Sequence, residues 1–117
     1  MLAQNVHVEQ TGAIAVATVI TPLLSVNEGQ EIIGELTERM RYNNARHFIL
    51  DLKEVEFMDS SFLGSLVSLL QDVEHVRGKI ALANCQPNVA FLFKVTRLDS
   101  VFTIFDSVED AKADLEK

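Results

Sequence analysis

Two serines follow an aspartate in the segment "EVEFMDSSFLGSL" (54–66), between an apolar run typical of a strand and a run with helical spacing. Asp59, Ser60 and Ser61 thus place a carboxylate and two hydroxyls where a helix should begin. One of the three is predicted to cap the helix, because a side-chain oxygen there accepts a hydrogen bond from a free backbone N–H. A serine at a helix start is also exposed and near the positive end of the helix dipole, where a phosphate is tolerated. The segment predicts a helix cap and a hydroxyl suited to a binding switch.

Motifs for other kinds of chemistry are absent from the chain. It contains no Gly-x-Gly-x-x-Gly or Walker lysine loop for nucleotides and no Gly-x-Ser-x-Gly elbow for a serine hydrolase. His7, His47 and His75 are predicted on an edge strand, at a strand start and on a helix surface, which does not suit a shared metal site. Cys85, the only cysteine, is expected to pack as a small hydrophobe. We therefore expect a protein without enzymatic activity, bound metal or cofactor.

Asp51 supports an alternative with a different phosphorylation chemistry. It lies at the end of a predicted buried strand, and with Met58-Asp59 the region resembles the phospho-acceptor region of response-regulator receiver domains. A receiver also needs an acidic pair after its first parallel strand to hold Mg²⁺, and this chain has Ile20-Thr21-Pro22-Leu23 there. The lysine expected after the last strand is replaced by Asp106-Ser107. A receiver domain with Asp51 as the acceptor is therefore the weaker alternative.

The order of predicted strands and helices determines the architecture that holds the Asp-Ser-Ser segment. Val6, Val8 and the run "AIAVATVI" predict a hairpin, which is followed by the strands "HFILDL" (47–52), "KIALAN" (79–84) and "VFTIF" (101–105). Helices are predicted between and after these strands, with ends marked by Ser25, Asn43-Asn44, Gly78, Gln86-Pro87 and Ser107. The alternation predicts an α/β fold: a mixed, mostly parallel sheet of about four to five strands with about four helices and an N-terminal antiparallel hairpin.

Composition and charge limit the classes of partner. The 117 residues fit one domain, 1–117, and 17 acidic against 10 basic residues give a formal net charge of −7. Such a chain is poorly suited to nucleic acid or anionic lipid and better suited to a basic protein surface. The N-terminus lacks the pattern of a signal peptide, and the longest apolar run, 13–24, is too short to cross a bilayer. We expect a cytoplasmic protein with no membrane insertion, most simply a monomer.

The stretch "HFILDLKEVEFMDSSFLGSLVSLL" (47–70) resembles the STAS domain of bacterial anti-sigma factor antagonists, also called anti-anti-sigma factors. That family carries an apolar strand, a short loop and then Asp-Ser-Ser/Thr-Gly-Leu-Gly. The segment "AFLFKVTRLDSVFTIFDSVEDA" (90–111) is similar to its third helix and last strand, where the family shows a Leu-Phe pair and a Ser/Thr-Gly-Leu step. Length and element order agree as well, so the resemblance implies a STAS fold over essentially the whole chain.

The resemblance also implies a function in transcription regulation by partner switching. In the family, the first hydroxyl after the aspartate is phosphorylated by the cognate anti-sigma factor, a serine kinase, and that residue is Ser60 here. The unphosphorylated form binds the kinase and frees the sigma factor, the phosphorylated form does not, and a phosphatase resets the cycle. Ser61 is then expected as a structural cap, and Asp59 as the residue that orients the serine region. The implied partner-binding residues are Asp59, Ser60, Ser61, Phe62, Leu63 and Gly64.

Two departures from the family pattern keep an alternative open. Phe62 replaces the family glycine, and its ring either packs in the core or faces outward as a specificity anchor. The segment Thr21-Pro22-Leu23-Leu24 replaces a Gly-Glu/Asp-Leu/Ile-Asp pattern whose acidic side chains help to contact the kinase. The alternative is a constitutive STAS scaffold or transporter-associated subunit that is not regulated by phosphorylation.

Overall fold

A computed structural model describes residues 5–117, and within them seven strands and four helices are formed. The strands are Val6–Thr11 (β1), Ile14–Val19 (β2), Leu23–Leu24 (β3), His47–Asp51 (β4), Phe57–Met58 (β5), Ile80–Ala83 (β6) and Thr103–Phe105 (β7). The helices are Val26–Tyr42 (α1), Ser60–His75 (α2), Pro87–Val95 (α3) and Val108–Leu115 (α4), with a 3-10 turn at Leu98–Ser100.

Five of the strands form one mixed sheet in the order β1-β2-β4-β6-β7. The β1 and β2 strands make the predicted antiparallel hairpin, with Val6 opposite Val19, and all other neighbours in this sheet are parallel. Every residue of β6 is buried, as expected for a strand covered on both faces of a parallel sheet. The predicted α/β fold class, with its hairpin, strand number and helix number, is confirmed.

The sheet divides the interior into a larger and a smaller core. Phe48 and Leu50 of β4 belong to the larger core, which α1, α2 and α3 cover, whereas Ile49 between them points to the opposite face. On that opposite face α4 packs against β4, β6 and β7 through Ala111. In the larger core, Phe93 and Phe102 meet edge to face, with ring centroids 6.0 Å apart.

The predicted helix ends are largely confirmed. The backbone N–H of Ser25 donates to Glu28 Oε1 at 3.2 Å, as a capping box requires, and Asn44 takes the left-handed φ of 59° after α1. Pro87 is the first residue of α3, and Ser107 Oγ accepts from the N–H of Asp110 at 3.0 Å. The helix α2 stops at His75, three residues before Gly78, near which its end is predicted.

The strands β3 and β5 form a separate two-stranded parallel sheet that the sequence does not predict. Leu23 lies opposite Phe57 and Leu24 lies opposite Met58. Because α1 begins two residues after β3 ends and α2 begins two residues after β5 ends, this pairing sets the first turns of α1 and α2 side by side. The N–H of Asp59 donates to the carbonyl of Leu24 at 2.8 Å and continues the pairing up to the start of α2.

Candidate functional site

Asp59 is the residue that caps α2. Its backbone is extended, with φ −70° and ψ 135°, and its Oδ1 accepts a hydrogen bond from the backbone N–H of Ser61 at 2.8 Å. This bond, together with a side-chain bond from Ser61, holds the pKa of the Asp59 carboxyl below its ordinary value. The expectation that Ser61 is the structural cap is therefore wrong, because Ser61 is the residue whose N–H is capped.

Ser60 is the first residue of α2, and its side chain is exposed. Within the described part of the chain, no side chain or backbone group makes a hydrogen bond to its hydroxyl. Ser60 directly follows the capping Asp59 and belongs to the first turn of α2, where positive partial charge is concentrated. The structure therefore presents an accessible, unpaired hydroxyl at a capped helix start.

Phe62 lies in the larger core and is only 2% exposed. Its ring packs against α1 at Gly29, where an added Cβ would stand 2.8 Å from Phe62 Cδ1. The structure thus decides between the two placements that the sequence leaves open, and an outward specificity anchor is excluded in this conformation. Leu63 is also buried, whereas Gly64 is exposed. Of the six residues expected to bind a partner, Phe62 and Leu63 do not offer their side chains to one, because both pack in the interior.

The cleft beside the start of α2 is smaller than the pockets that small ligands use. A cleft of about 70 Å³ lies between the first turns of α1 and α2, and its lining includes Val26, Gly29, Ser61 and Phe62. Pockets for small ligands are typically about 300–1,000 Å³. This cleft is therefore too small to enclose a typical small ligand.

Asp51 is buried at the end of β4 and is hydrogen-bonded to its neighbours. Its Oδ1 accepts from the N–H of Lys53 at 3.2 Å and from Asn84 Nδ2 at 3.1 Å, and the Lys53 ammonium lies 3.6 Å from Oδ2. Residues 5–117 contain no group of three or more histidine, cysteine, aspartate or glutamate side chains placed to hold a metal ion. These bonds tie β4 to the turn after β6 and give Asp51 a structural role.

The histidines and the cysteine lie on separate elements. His7 contacts Glu9 at 3.3 Å on the surface of β1, and His75 is exposed at the end of α2. His47 Nδ1 accepts from the N–H of Lys79 at 3.2 Å, and partial burial, with the nearby Arg46 and Lys79 charges, lowers its pKa. Burial raises the pKa of the Cys85 thiol to about 11, so little reactive thiolate forms at neutral pH.

The cap carboxylate gives a testable pH dependence. Because folding lowers the pKa of Asp59, its charge stabilises the folded chain above the unfolded-state pKa, and this contribution is lost as the pH falls through the folded-state value. Asp59→Asn keeps a good capping side chain without the charge. At pH 6, we expect urea unfolding to give the unmodified chain a higher free energy of unfolding than Asp59→Asn. At pH 3, the difference between the two chains should be smaller. A difference that stays constant between these pH values would contradict the charge effect.

The fold and the site together define a class: a small α/β fold in which a capped helix start presents an unpaired hydroxyl to solvent. The model of the STAS domain family matches residues 5–111, so the chain belongs to the STAS domain family. This match confirms the resemblance that the Asp-Ser-Ser segment carries.

Individual relatives agree with this family. The chain is 28% identical over 82 residues to an anti-sigma F factor antagonist of Paenibacillus polymyxa, an alignment that covers 70% of each protein. The anti-sigma factor antagonist SpoIIAA in its unphosphorylated form shares the fold, with a TM-score of 0.84 at 20% identity over 95% of this chain and 96% of that one. The murine anion transporter Slc26a9 contains the same fold, with a TM-score of 0.74 at 17% identity over 92% of this chain and 18% of the transporter.

Proposed function

We propose that the chain is a partner-switching regulator of the anti-sigma factor antagonist type. Its partner is an anti-sigma factor with serine kinase activity, which phosphorylates Ser60, and a phosphatase reverses the modification. The observation that carries this proposal is the exposed, unpaired Ser60 hydroxyl beside the capping Asp59 in a STAS domain. The similarity to an antagonist of anti-sigma F factor supports the choice of partner. A monomer in the cytoplasm is part of the same proposal.

The electrostatics of the helix start explain why phosphorylation would weaken docking without unfolding the chain. A phosphate adds about −1.5 to −2 charges at pH 7, and the helix dipole tolerates them at this position. On the docking surface, however, the phosphate stands next to the ionised Asp59, in a chain with a net charge of −7. Burying these like charges under a partner costs desolvation and repulsion. The modification thus acts on binding.

A charge substitution at Ser60 should imitate this effect. We expect Ser60→Asp to raise the Kd for the purified anti-sigma serine kinase encoded nearest to this gene by about tenfold or more, measured by calorimetry. Ser68→Asp is the matched control, because Ser68 is exposed on the same helix and two turns away, so its Kd should stay within about twofold of the unmodified chain. After incubation with ATP, mass spectrometry should find one phosphate, which Ser60→Ala removes. An unphosphorylated chain, together with unchanged binding by Ser60→Asp, would refute the switch.

A constitutive STAS subunit is the second candidate. It is favoured by the presence of this fold in a transporter and by the apolar segment at 21–24, which lacks the acidic residues of the switching proteins the chain resembles. No helix within residues 5–117 is long and apolar enough to cross a membrane. This candidate predicts equal affinity of the unmodified and Ser60→Asp chains for the partner protein. The Ser60→Asp titration therefore separates the two functions.

A further inference from the structure

Two large apolar side chains stand exposed next to the candidate site. Leu23 is 54% exposed and Phe57 is 58% exposed, and they occupy directly opposite positions in the small parallel sheet of β3 and β5. Side chains alternate along a strand, so their successors Leu24 and Met58 face the core while Leu23 and Phe57 share the outer surface. The outer surface of this small sheet is therefore a paired apolar patch.

We infer that Leu23 and Phe57 are the apolar anchor of the docking surface, and that this anchor enters an apolar pocket of the anti-sigma serine kinase. The inference rests on the proposed function and adds the residues that hold the partner. Phe57 precedes Ser60 by three residues, and β5 leads directly into the capped start of α2. Val26, 48% exposed at the start of α1, lines the small cleft together with Ser61. The short strand β5 thus connects the patch directly to the helix start that carries Ser60.

The pair is held in place before any partner binds. The carbonyl of Pro22 accepts from the N–H groups of Glu56 at 2.8 Å and Phe57 at 3.0 Å, and Thr21 Oγ1 donates to the carbonyl of Leu23 at 3.1 Å. These bonds fix the backbone on both sides of the patch. Because the backbone of the patch is already ordered, binding does not have to order it, which lowers the entropic cost of docking.

Charge around the patch indicates an unlike partner. Glu54 and Glu56 are exposed just before β5, and Asp59 is exposed just after it. Face-to-face pairing of two copies would bring these carboxylates together, which is unfavourable. A partner whose apolar pocket is bordered by lysine or arginine would complement Glu54 and Glu56. Ser60 lies at the other end of β5, where a phosphate would have to be desolvated against the apolar surface.

Calorimetric titration of the chain with the purified serine kinase encoded nearest to its gene tests the anchor. Leu23→Thr and Phe57→Thr keep a side chain suited to strands, and each should raise the Kd about tenfold or more. Tyr42→Thr is the control, because Tyr42 is 76% exposed at the far end of α1, and its Kd should be unchanged. A cooperative thermal transition shows that each variant is folded. In the unmodified chain, the amide NMR signals of residues 23–26 and 56–61 should shift on addition of the kinase.

The possible results separate the anchor from the proposed function. If both threonine variants bind like Tyr42→Thr and the amide signals of residues 23–26 do not move, while Ser60→Asp still weakens binding, the anchor is refuted and the switch stands. If the unmodified chain neither binds the kinase nor is phosphorylated, the proposed function fails and the anchor fails with it. Self-association that Leu23→Thr abolishes would assign the patch to a second copy of the chain and overturn the inference.

Discussion

Phe62→Ala should lower the free energy of unfolding by about 3–5 kcal/mol, the usual cost of removing a buried phenylalanine ring. The ring is 2% exposed and fills the space between α1 and α2, and the β3–β5 pairing fixes the start of both helices. The helices therefore cannot easily close on the cavity. Since a domain typically has about 5–15 kcal/mol of stability in total, urea unfolding should show a large shift of the midpoint.

Gly29 provides the matching test, because it is the residue that makes room for the ring. In the unmodified chain, Gly29→Ala places a Cβ 2.8 Å from Phe62 Cδ1 and should destabilise the fold. In the Phe62→Ala background the same change should stabilise by up to about 1 kcal/mol, because alanine favours a helix over glycine. Gly34→Ala, on the exposed side of α1 with open space around its Cβ, should stabilise both backgrounds. Additive effects of Gly29→Ala and Phe62→Ala would show that the two residues are not coupled.

This pair explains how the chain accommodates a departure from the motif of the family it resembles. The family glycine at the position of Phe62 leaves the first turn of α2 without a large side chain. Here the ring turns inward, and the glycine that gives it space lies on α1. The motif surface of Asp59, Ser60 and Ser61 therefore stays free of an added aromatic side chain. A sequence pattern cannot reveal this exchange, because the two residues become neighbours only when the helices pack.

The longer helices and strands, whose apolar residues form a recognisable pattern, could be predicted from the sequence. Two-residue strands and left-handed backbone conformations could not. The hairpin, the three further strands of the large sheet and the four helices each contain several apolar residues, either in a continuous run or at regular spacing, whereas β3 and β5 have only two residues each. Their pairing depends on Leu24 and Met58 reaching the core together. Arg97 takes a left-handed φ of 62° at the position where the family shows glycine. An arginine in the sequence does not indicate this conformation, which glycine adopts more readily.

The candidate site could be predicted in part for the same reason. The start of α2 after Asp59 follows from a capping residue before an apolar period, which is local information. The sequence does not show which of the three adjacent side chains caps the helix, because the capping residue is the one whose backbone is extended. Here that residue is Asp59, whose N–H bonds to the carbonyl of Leu24. The exposure of Leu23 and Phe57 follows from the pairing of β3 with β5, which no local sequence pattern predicts.

Gly78→Ala should destabilise the chain by about 3 kcal/mol or more, because the contact it creates is with the backbone. A Cβ on Gly78 would lie 1.7 Å from the carbonyl oxygen of Arg46 and 2.8 Å from Val73 Cγ1. A backbone carbonyl cannot rotate away as a side chain can. The segment that carries it is also fixed, because the N–H groups of Arg46 and His47 both donate to the carbonyl of Ala13 at 2.9 Å.

Relief of this contact must therefore displace either the start of β4 or the turn after α2, and both are anchored. The N–H of Gly78 donates to the carbonyl of Val73 at 2.9 Å, and Phe48 donates to Lys79 at 2.9 Å. We expect the thermal midpoint to fall by about 10 °C or more, whereas the control Gly34→Ala should leave it equal or higher. Because Gly78 follows the C-terminal end of α2 and Ser60 begins it, a folded Gly78→Ala chain should bind the proposed kinase partner with the affinity of the unmodified chain at low temperature. Equal thermal midpoints for Gly78→Ala and Gly34→Ala would contradict this prediction. They would mean that the backbone at the start of β4 shifts at little cost, and that its hydrogen bonds to Ala13 contribute little to the stability of the sheet.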